Sequence, residues 1–280
     1  MRHFFSILFG AWLVCLSAPE MAAQDLERIR ADAASGNIEL ERSALVQIRN
    51  LRTTDASRLA LPLLNDRNEL VRASAAGAAI YLPPQEAAAV LIPLLSDKAD
   101  FVRQETAYAL GDVGDPSAVN ALISTVQKGP DSVRNAAVIA LGKIGDPSAM
   151  ETLLGVFKKK PNEDGEFLRR SAARSIGQIA QFQVTGRRDL TTPQNYLPTK
   201  FKDAGSASTS TERFPGATSV LIHVLQNKKE SDDTRREAAF ALGWSGSQTA
   251  VPVLRQYLTS TDNHLGEIAK EALIRLGASQ

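Results

Sequence analysis

The chain has 280 residues, of which 44% are hydrophobic and 22% charged, and its formal net charge is +1. That apolar content excludes a disordered polypeptide, and so small a charge excess excludes a global field drawing the chain onto nucleic acid or an anionic membrane. Cys15 is the only cysteine, so neither an intrachain disulfide nor a cysteine metal cluster is available.

The first element is a basic start (Arg2, His3), an apolar stretch from Phe4 to Ala18, and small residues at Ala22 and Ala23. This is the layout of a secretory leader cleaved near Ala23. Residues 1–23 are therefore expected to leave, placing a thiol-free protein in the periplasm or outside the cell. The apolar stretch is short of the roughly 20 residues a spanning helix needs. An uncleaved anchor is the alternative, and only that would bring the chain to a membrane. A lipid-modified Cys15 would need small residues before it, where Trp12, Leu13 and Val14 stand. No later segment is long and apolar enough to span.

Beyond the leader a phrase recurs. Val102-Arg103 precedes Ala109-Leu110-Gly111, and 31 positions later Val133-Arg134 precedes Ala140-Leu141-Gly142. Degenerate copies stand at Glu41-Arg42, Val71-Arg72, Leu168-Arg169 and Thr234-Arg235, with Ala269 in the arginine's place before Leu276-Gly277. A period of that length marks a repeat array. In the unit 115–142, Asp115-Pro116 starts a first helix with inward Val119, Leu122, Ile123 and Val126, and Gly129-Pro130 stops it. Asp131 is placed to cap a second helix with inward Val133, Ala137, Ala140 and Leu141, and Gly142 to end it in the left-handed conformation. Such a pair buries its apolar face only by stacking on neighbours.

This frame predicts an all-α fold, an α-solenoid of about seven antiparallel helix pairs near 25–52, 55–82, 84–111, 115–142, 146–180, 216–243 and 247–277. The anchor arginine and the acid three positions before it (Asp100, Asp131, Asp232) read as packing and capping devices that could also ladder between units. Pro62 and Pro93 both fall ten residues before their anchor and predict a shared bend in first helices.

The Val-Arg, Ala-Leu-Gly and Gly-Asp-Pro elements resemble HEAT-like repeats, in particular the short type of the phycobilisome-lyase family, over roughly residues 37–277. The resemblance implies a superhelical array whose second helices line a concave face. It implies little about activity, because such repeats serve unrelated binding roles.

The expected order is a leader at 1–23, five pairs over 24–180, an inserted flexible loop at 181–215, and two pairs with a C-terminal cap over 216–280. Within the insertion, Tyr196, Lys200, Phe201 and Lys202 interleave aromatic and basic groups suited to docking a partner, whereas Gly205 to Thr211 reads as a spacer.

Positions one, five and nine after each anchor point away from the buried side. They carry Gln104 and Tyr108, Asn135 and Ile139, Arg170 and Arg174, then Arg236, Phe240 and Trp244. Aromatics beside arginine are the types enriched at interface hot spots. This stripe is the expected binding surface for a protein partner, and packing against a neighbouring helix is the structural alternative for each residue.

No HExxH, phosphate loop or G-x-S-x-G elbow occurs, and His223 and His264 stand alone, so no catalytic residue, metal ligand or cofactor is nominated. The leading expectation is a monomeric, exported, non-catalytic protein-interaction scaffold. The resemblance alone suggests the alternative, a chromophore lyase or lyase accessory. A nucleic-acid binder using Arg170, Arg174, Arg187, Arg188 and Arg236 is disfavoured by the near-neutral charge.

Overall fold

In the computed structural model of the chain, residues 18–187 and 212–278 are described, with side chains from Asp25 onward. Tyr196, Lys200, Phe201 and Lys202 lie outside the described residues. Among those described, every regular element is helical.

Odd-numbered helices are the first members of each pair and even-numbered ones the second. The pairs are α1 (Ala18–Ala33) with α2 (Ile38–Leu51), α3 (Thr54–Arg58) with α4 (Glu69–Ala78), and α5 (Pro84–Leu91) with α6 (Asp100–Val113). They continue as α7 (Val119–Lys128) with α8 (Asp131–Ile144), α9 (Met150–Gly155) with α10 (Glu166–Thr185), α11 (Pro215–Gln226) with α12 (Asp232–Trp244), and α13 (Val251–Arg255) with α14 (Asn263–Arg275). Each second helix packs on the second helix before it, from α2 to α14, so the array is an α-solenoid with one unbroken row of second helices.

Short polar residues start the elements. Asn37, Asn68, Ser231 and Asp262 accept backbone N–H bonds at the starts of α2, α4, α12 and α14. Asp115 and Asp146 do the same ahead of Pro116 and Pro147, which begin 3-10 turns leading into α7 and α9. The expected bend is present: α3 and α5 give way to 3-10 segments Leu61–Asn65 and Ile92–Ser96, with Pro62 and Pro93 as second residues. A proline removes one N–H and crowds the preceding turn, so the α ladder stops there.

Three local expectations need correction. Gly111 and Gly142 do not end their helices, which run on to Gly114 and Gly145, the residues with φ of 72° and 80°. They sit at the crossing of second helices: a Cβ on Gly111 would stand 2.7 Å from Ala140 Cα, and one on Gly243 2.8 Å from Ala272 Cα. Likewise Asp131 lies inside the first turn of α8, after Pro130, and bonds Arg134 at 3.0 Å instead of capping. The helix expected to end near 180 extends to Thr185, because Phe182 covers Gly145 and Gln183 donates to the Gly145 carbonyl at 3.1 Å.

The core is aliphatic and small. Residues three after the anchor (Ala75, Thr106, Ala137, Ala172, Ala238) are all fully buried, as are Val71, Val102 and Val133 before it. Small side chains there let the helices approach closely enough for continuous packing.

The anchor arginines tie the pairs together. Arg134 Nε donates to the Val126 carbonyl at 2.9 Å, Arg235 Nε to the Leu225 carbonyl at 3.1 Å, and Arg169 Nη1 to the Lys159 carbonyl at 2.9 Å. Each reaches back to the end of its own first helix or the loop beyond it, and satisfies a carbonyl that has no helical partner.

Candidate functional site: the second-helix face

The residues of the expected stripe all lie on the row formed by α6, α8, α10 and α12, but they do not make one exposed surface. Gln104, Tyr108, Asn135 and Ile139 are half-buried. Burial pushes the Tyr108 hydroxyl up from its ordinary range, and the neighbouring Glu105 adds to the shift. Glu105 is itself pushed up by burial, with Arg49 opposing.

Farther along, the arginines are consumed by the fold. Arg170 bonds Asp233 at 3.2 Å, and Arg174 donates to Glu237 Oε1 through Nε at 2.8 Å and through Nη2. Arg236 grips both Asp262 oxygens at 2.9 and 3.0 Å and Asp233 at 2.8 Å. Apart from Arg236–Asp233, which lies within α12, these contacts join α10 to α12 and α12 to the start of α14. The ladder expected at the anchor and the acid three positions before it is not formed by those acids: Asp100, Asp131 and Asp232 pair within their own helices, and the contacts between units here are made one and five positions after the anchor.

Phe240 and Trp244 are corrected outright: expected to be exposed, they are 5% and 4% exposed. Phe240 fills the space left by Gly177, where a Cβ would lie 3.3 Å from the ring. Trp244 lies under the Arg275 guanidinium, 4.2 Å from the ring centroid. The frame located both residues on the correct helix, but a neighbour's missing Cβ and a neighbour's arginine are invisible to single-helix geometry.

Four exposed apolar residues sit two positions before the anchor: Leu40 at 44%, Leu70 at 38%, Phe101 at 44% and Phe167 at 44%, and at stripe positions of the terminal units Leu51 and Ile274 are exposed as well. Phe101 and Tyr108 are seven residues apart, two turns of one helix, and so share a face. The row is interrupted by Ser132 and Asp233. The same register read two residues upstream carries this signal.

A separate cleft of about 730 Å³ opens between the fourth and fifth pairs and is bordered by Arg134, Asn135 and the run Lys158, Lys159 and Lys160. It had no counterpart in the sequence reading. His223 and His264 are both exposed, and among the described residues no group of three or more His, Cys, Asp or Glu is placed to hold a metal ion. No described helix is long and apolar enough to cross a membrane.

Stacked antiparallel helix pairs joined through their second helices define the class of α-solenoid repeat proteins. The family profile for HEAT repeats matches residues 56–141 and 218–280, more than half of the chain, and the protein belongs to the HEAT-repeat family. The profile of the PBS lyase HEAT-like repeat matches residues 133–158. No curated protein matches the chain in sequence.

Among solved structures, the chain is similar to an engineered protein at 20% identity and TM-score 0.56, covering 93% of this chain and 70% of that one. It is also similar to the karyopherin Kap121p, solved bound to the extreme C-terminus of the protein phosphatase Cdc14p, at 16% identity and TM-score 0.60, covering 93% of this chain and 30% of that one. The complex of CpcE and CpcF of phycocyanin lyase from a Nostoc species aligns at 22% identity over 98% of this chain and 91% of that one, with TM-score 0.48. The likenesses to the engineered protein and to Kap121p show the fold alone.

Proposed function

We propose that the protein is a non-catalytic interaction scaffold that takes a partner polypeptide on its second-helix face, the side that lines the concave surface of HEAT-like arrays. The observation that carries this reading is the row Leu40, Leu70, Phe101 and Phe167, four large apolar side chains held exposed in one register by four successive or nearly successive layers. Isolated exposed apolar residues are ordinary, whereas a periodic row beside half-buried Tyr108 and Ile139 is a surface to be covered. Solenoids supply such extended faces. The Kap121p structure, with the extreme C-terminus of a protein phosphatase bound, is an example of a similar fold that takes a polypeptide partner.

We further propose that the scaffold acts outside the cytoplasm. The leader-like layout of residues 1–23 supports this, and Leu26, Ile29 and Ala33, which join α1 to the core, are retained after cleavage at Ala23. Cleavage would therefore spare that packing. The intact mass of the protein recovered from the envelope fraction checks the point, since retention of residues 1–23 would overturn cleavage.

The test of the main reading is affinity capture from the native envelope with quantitative mass spectrometry. A partner recovered by the full chain should be lost with the triple variant Leu70→Ser, Phe101→Ser, Phe167→Ser, while the surface variant Lys270→Glu retains it. Equal recovery by the triple variant would remove the second-helix face from consideration.

A further inference from the structure

In two layers the anchor arginine is closed by a carboxylate from the inter-helix loop of the next unit. Arg72 Nε and Nη2 bond Asp97 at 2.7 and 2.8 Å, and Arg169 takes Glu230 in the same two-pronged way. A third closure joins Arg236 to Asp262. The layers between them, at Arg103 and Arg134, are open.

Arg103 bonds the Asp97 carbonyl and Asp100 of its own helix, and Arg134 bonds the Val126 carbonyl and Asp131 of its own helix. Neither receives a side-chain carboxylate from the next loop among the described residues. Six residues before the next anchor, where the third unit has Asp97, the fourth has Lys128. The fifth unit has a longer loop that sets Lys158, Lys159 and Lys160 beside Arg134, and its in-register acid, Glu163, is exposed in the 3-10 turn Glu163–Gly165.

Space follows charge. The cleft at the closed Arg72–Asp97 layer holds about 410 Å³, the one at Arg103 and Lys128 about 580 Å³, and the one at Arg134 and the lysine run about 730 Å³. In the middle cleft the Asp97 carboxylate is already engaged by Arg72 and Arg103 is paired with Asp100, which leaves Lys128 as the remaining lining cation. In the larger cleft Arg134 is paired with Asp131 and Arg169 with Glu230, which leaves the three lysines facing Glu151 and Asp164.

We propose that this edge binds an acidic polypeptide segment, whose Asp or Glu side chains enter the two open layers and meet Lys128 in one and the run Lys158, Lys159 and Lys160 in the other. The closed layers show that this edge accommodates a carboxylate between successive units, where the guanidinium donates to both of its oxygens. Packed helices lie roughly 8–10 Å apart, and an extended chain advances about 3.3 Å per residue, so carboxylates three residues apart reach successive layers. The cations sit at the inter-helix loops, not among the exposed apolar residues of the second-helix face, so either proposal can fail without the other.

The test uses the full chain and a fluorescein-labelled probe peptide, (Glu-Ser-Gly) repeated four times, read by anisotropy at low salt. Binding should weaken at least tenfold in Lys128→Glu and in Lys159→Glu, weaken less in Lys128→Ala, and persist in Lys270→Glu, with thermal melts matching the parent. A peptide with lysine in place of glutamate should not bind, and inorganic phosphate at equal charge should not displace the probe. The proposal is overturned by absent binding, by equal binding to the reversed variants, by displacement with phosphate alone, or by tighter binding of an oligothymidylate, which would make the edge a nucleic-acid contact.

Discussion

Arg169 and Glu230 face each other, buried, across 61 positions of sequence, the guanidinium donating to both carboxylate oxygens. The pair repeats the Arg72–Asp97 contact, which spans only 25 positions. Despite the longer separation in sequence, α10 packs on α12 as closely as its neighbours pack on theirs. Arg213 reinforces the junction, its N–H reaching the Ser245 carbonyl at 3.2 Å and its guanidinium the Gln183 carbonyl at 3.2 Å.

Breaking a closed layer should cost far more than breaking an anchor's contact with its own helix. The Arg72 and Asp97 side chains are 7% and 12% exposed, whereas Asp131, paired with Arg134, is 75% exposed. Asp97→Ala leaves a buried guanidinium without its partner and should lower unfolding stability by about 3 kcal/mol. Asp131→Ala should cost under about 1 kcal/mol. The Arg72 bond holds the Asp97 carboxyl below its usual range, so this contribution is present above the ordinary aspartate pKa and lost as acid protonates the folded-state group. Urea denaturation of both variants at neutral and acid pH measures the difference.

Much of this was legible in the sequence, because the signals are periodic. The 31-residue register, the Asp-Pro starts and the paired prolines all report local backbone chemistry that repeats in each unit. What was not legible depends on the next layer. Gly142 reads as a helix terminator by its type, yet it is small because Ser175 and Gln178 approach within 2.5 and 2.6 Å of where a Cβ would stand. Phe240 reads as exposed by its angle around α12, yet Gly177 on α10 receives its ring.

That contrast predicts opposite signs for one substitution. Alanine is favoured over glycine inside a helix by about 1 kcal/mol. Gly155→Ala meets nothing within 4 Å and should stabilise by about 0.5–1 kcal/mol. Gly111→Ala and Gly243→Ala drive a methyl group into the backbone of Ala140 and Ala272, and should destabilise by about 1–3 kcal/mol. Thermal melts of the three variants decide it, and stabilisation by Gly243→Ala would mean that the second helices do not touch there.

Glu237 gives a pH dependence of the reverse sign to Asp97. Burial, only partly offset by Arg174, pushes its carboxyl up to about 7, and Oε2 has no hydrogen-bond partner. Between the ordinary glutamate value of about 4.3 and that raised value, the unfolded chain has released this proton and the folded chain retains it. Stability should therefore fall as pH rises through that window, by roughly 3 kcal/mol in all, and level off above it. Glu237→Gln should flatten the curve between pH 5 and 7 and be more stable than the parent at pH 8. An unchanged slope in the variant would assign the dependence elsewhere.

Phe101 and Phe240 occupy the same face of two second helices and separate binding from folding. Phe240, 5% exposed and seated on Gly177, should cost about 3–5 kcal/mol on substitution by alanine, because the cavity lies where two helices meet. Phe101, 44% exposed, should cost within about 0.5 kcal/mol by the same substitution. Partner capture should respond in the other order when measured below the melting temperature of both variants: Phe101→Ala should lose it, and folded Phe240→Ala should keep it. If Phe240→Ala abolished capture while still folded, the buried ring would be part of a surface that opens on binding, and the exposed row would not be the recognition element.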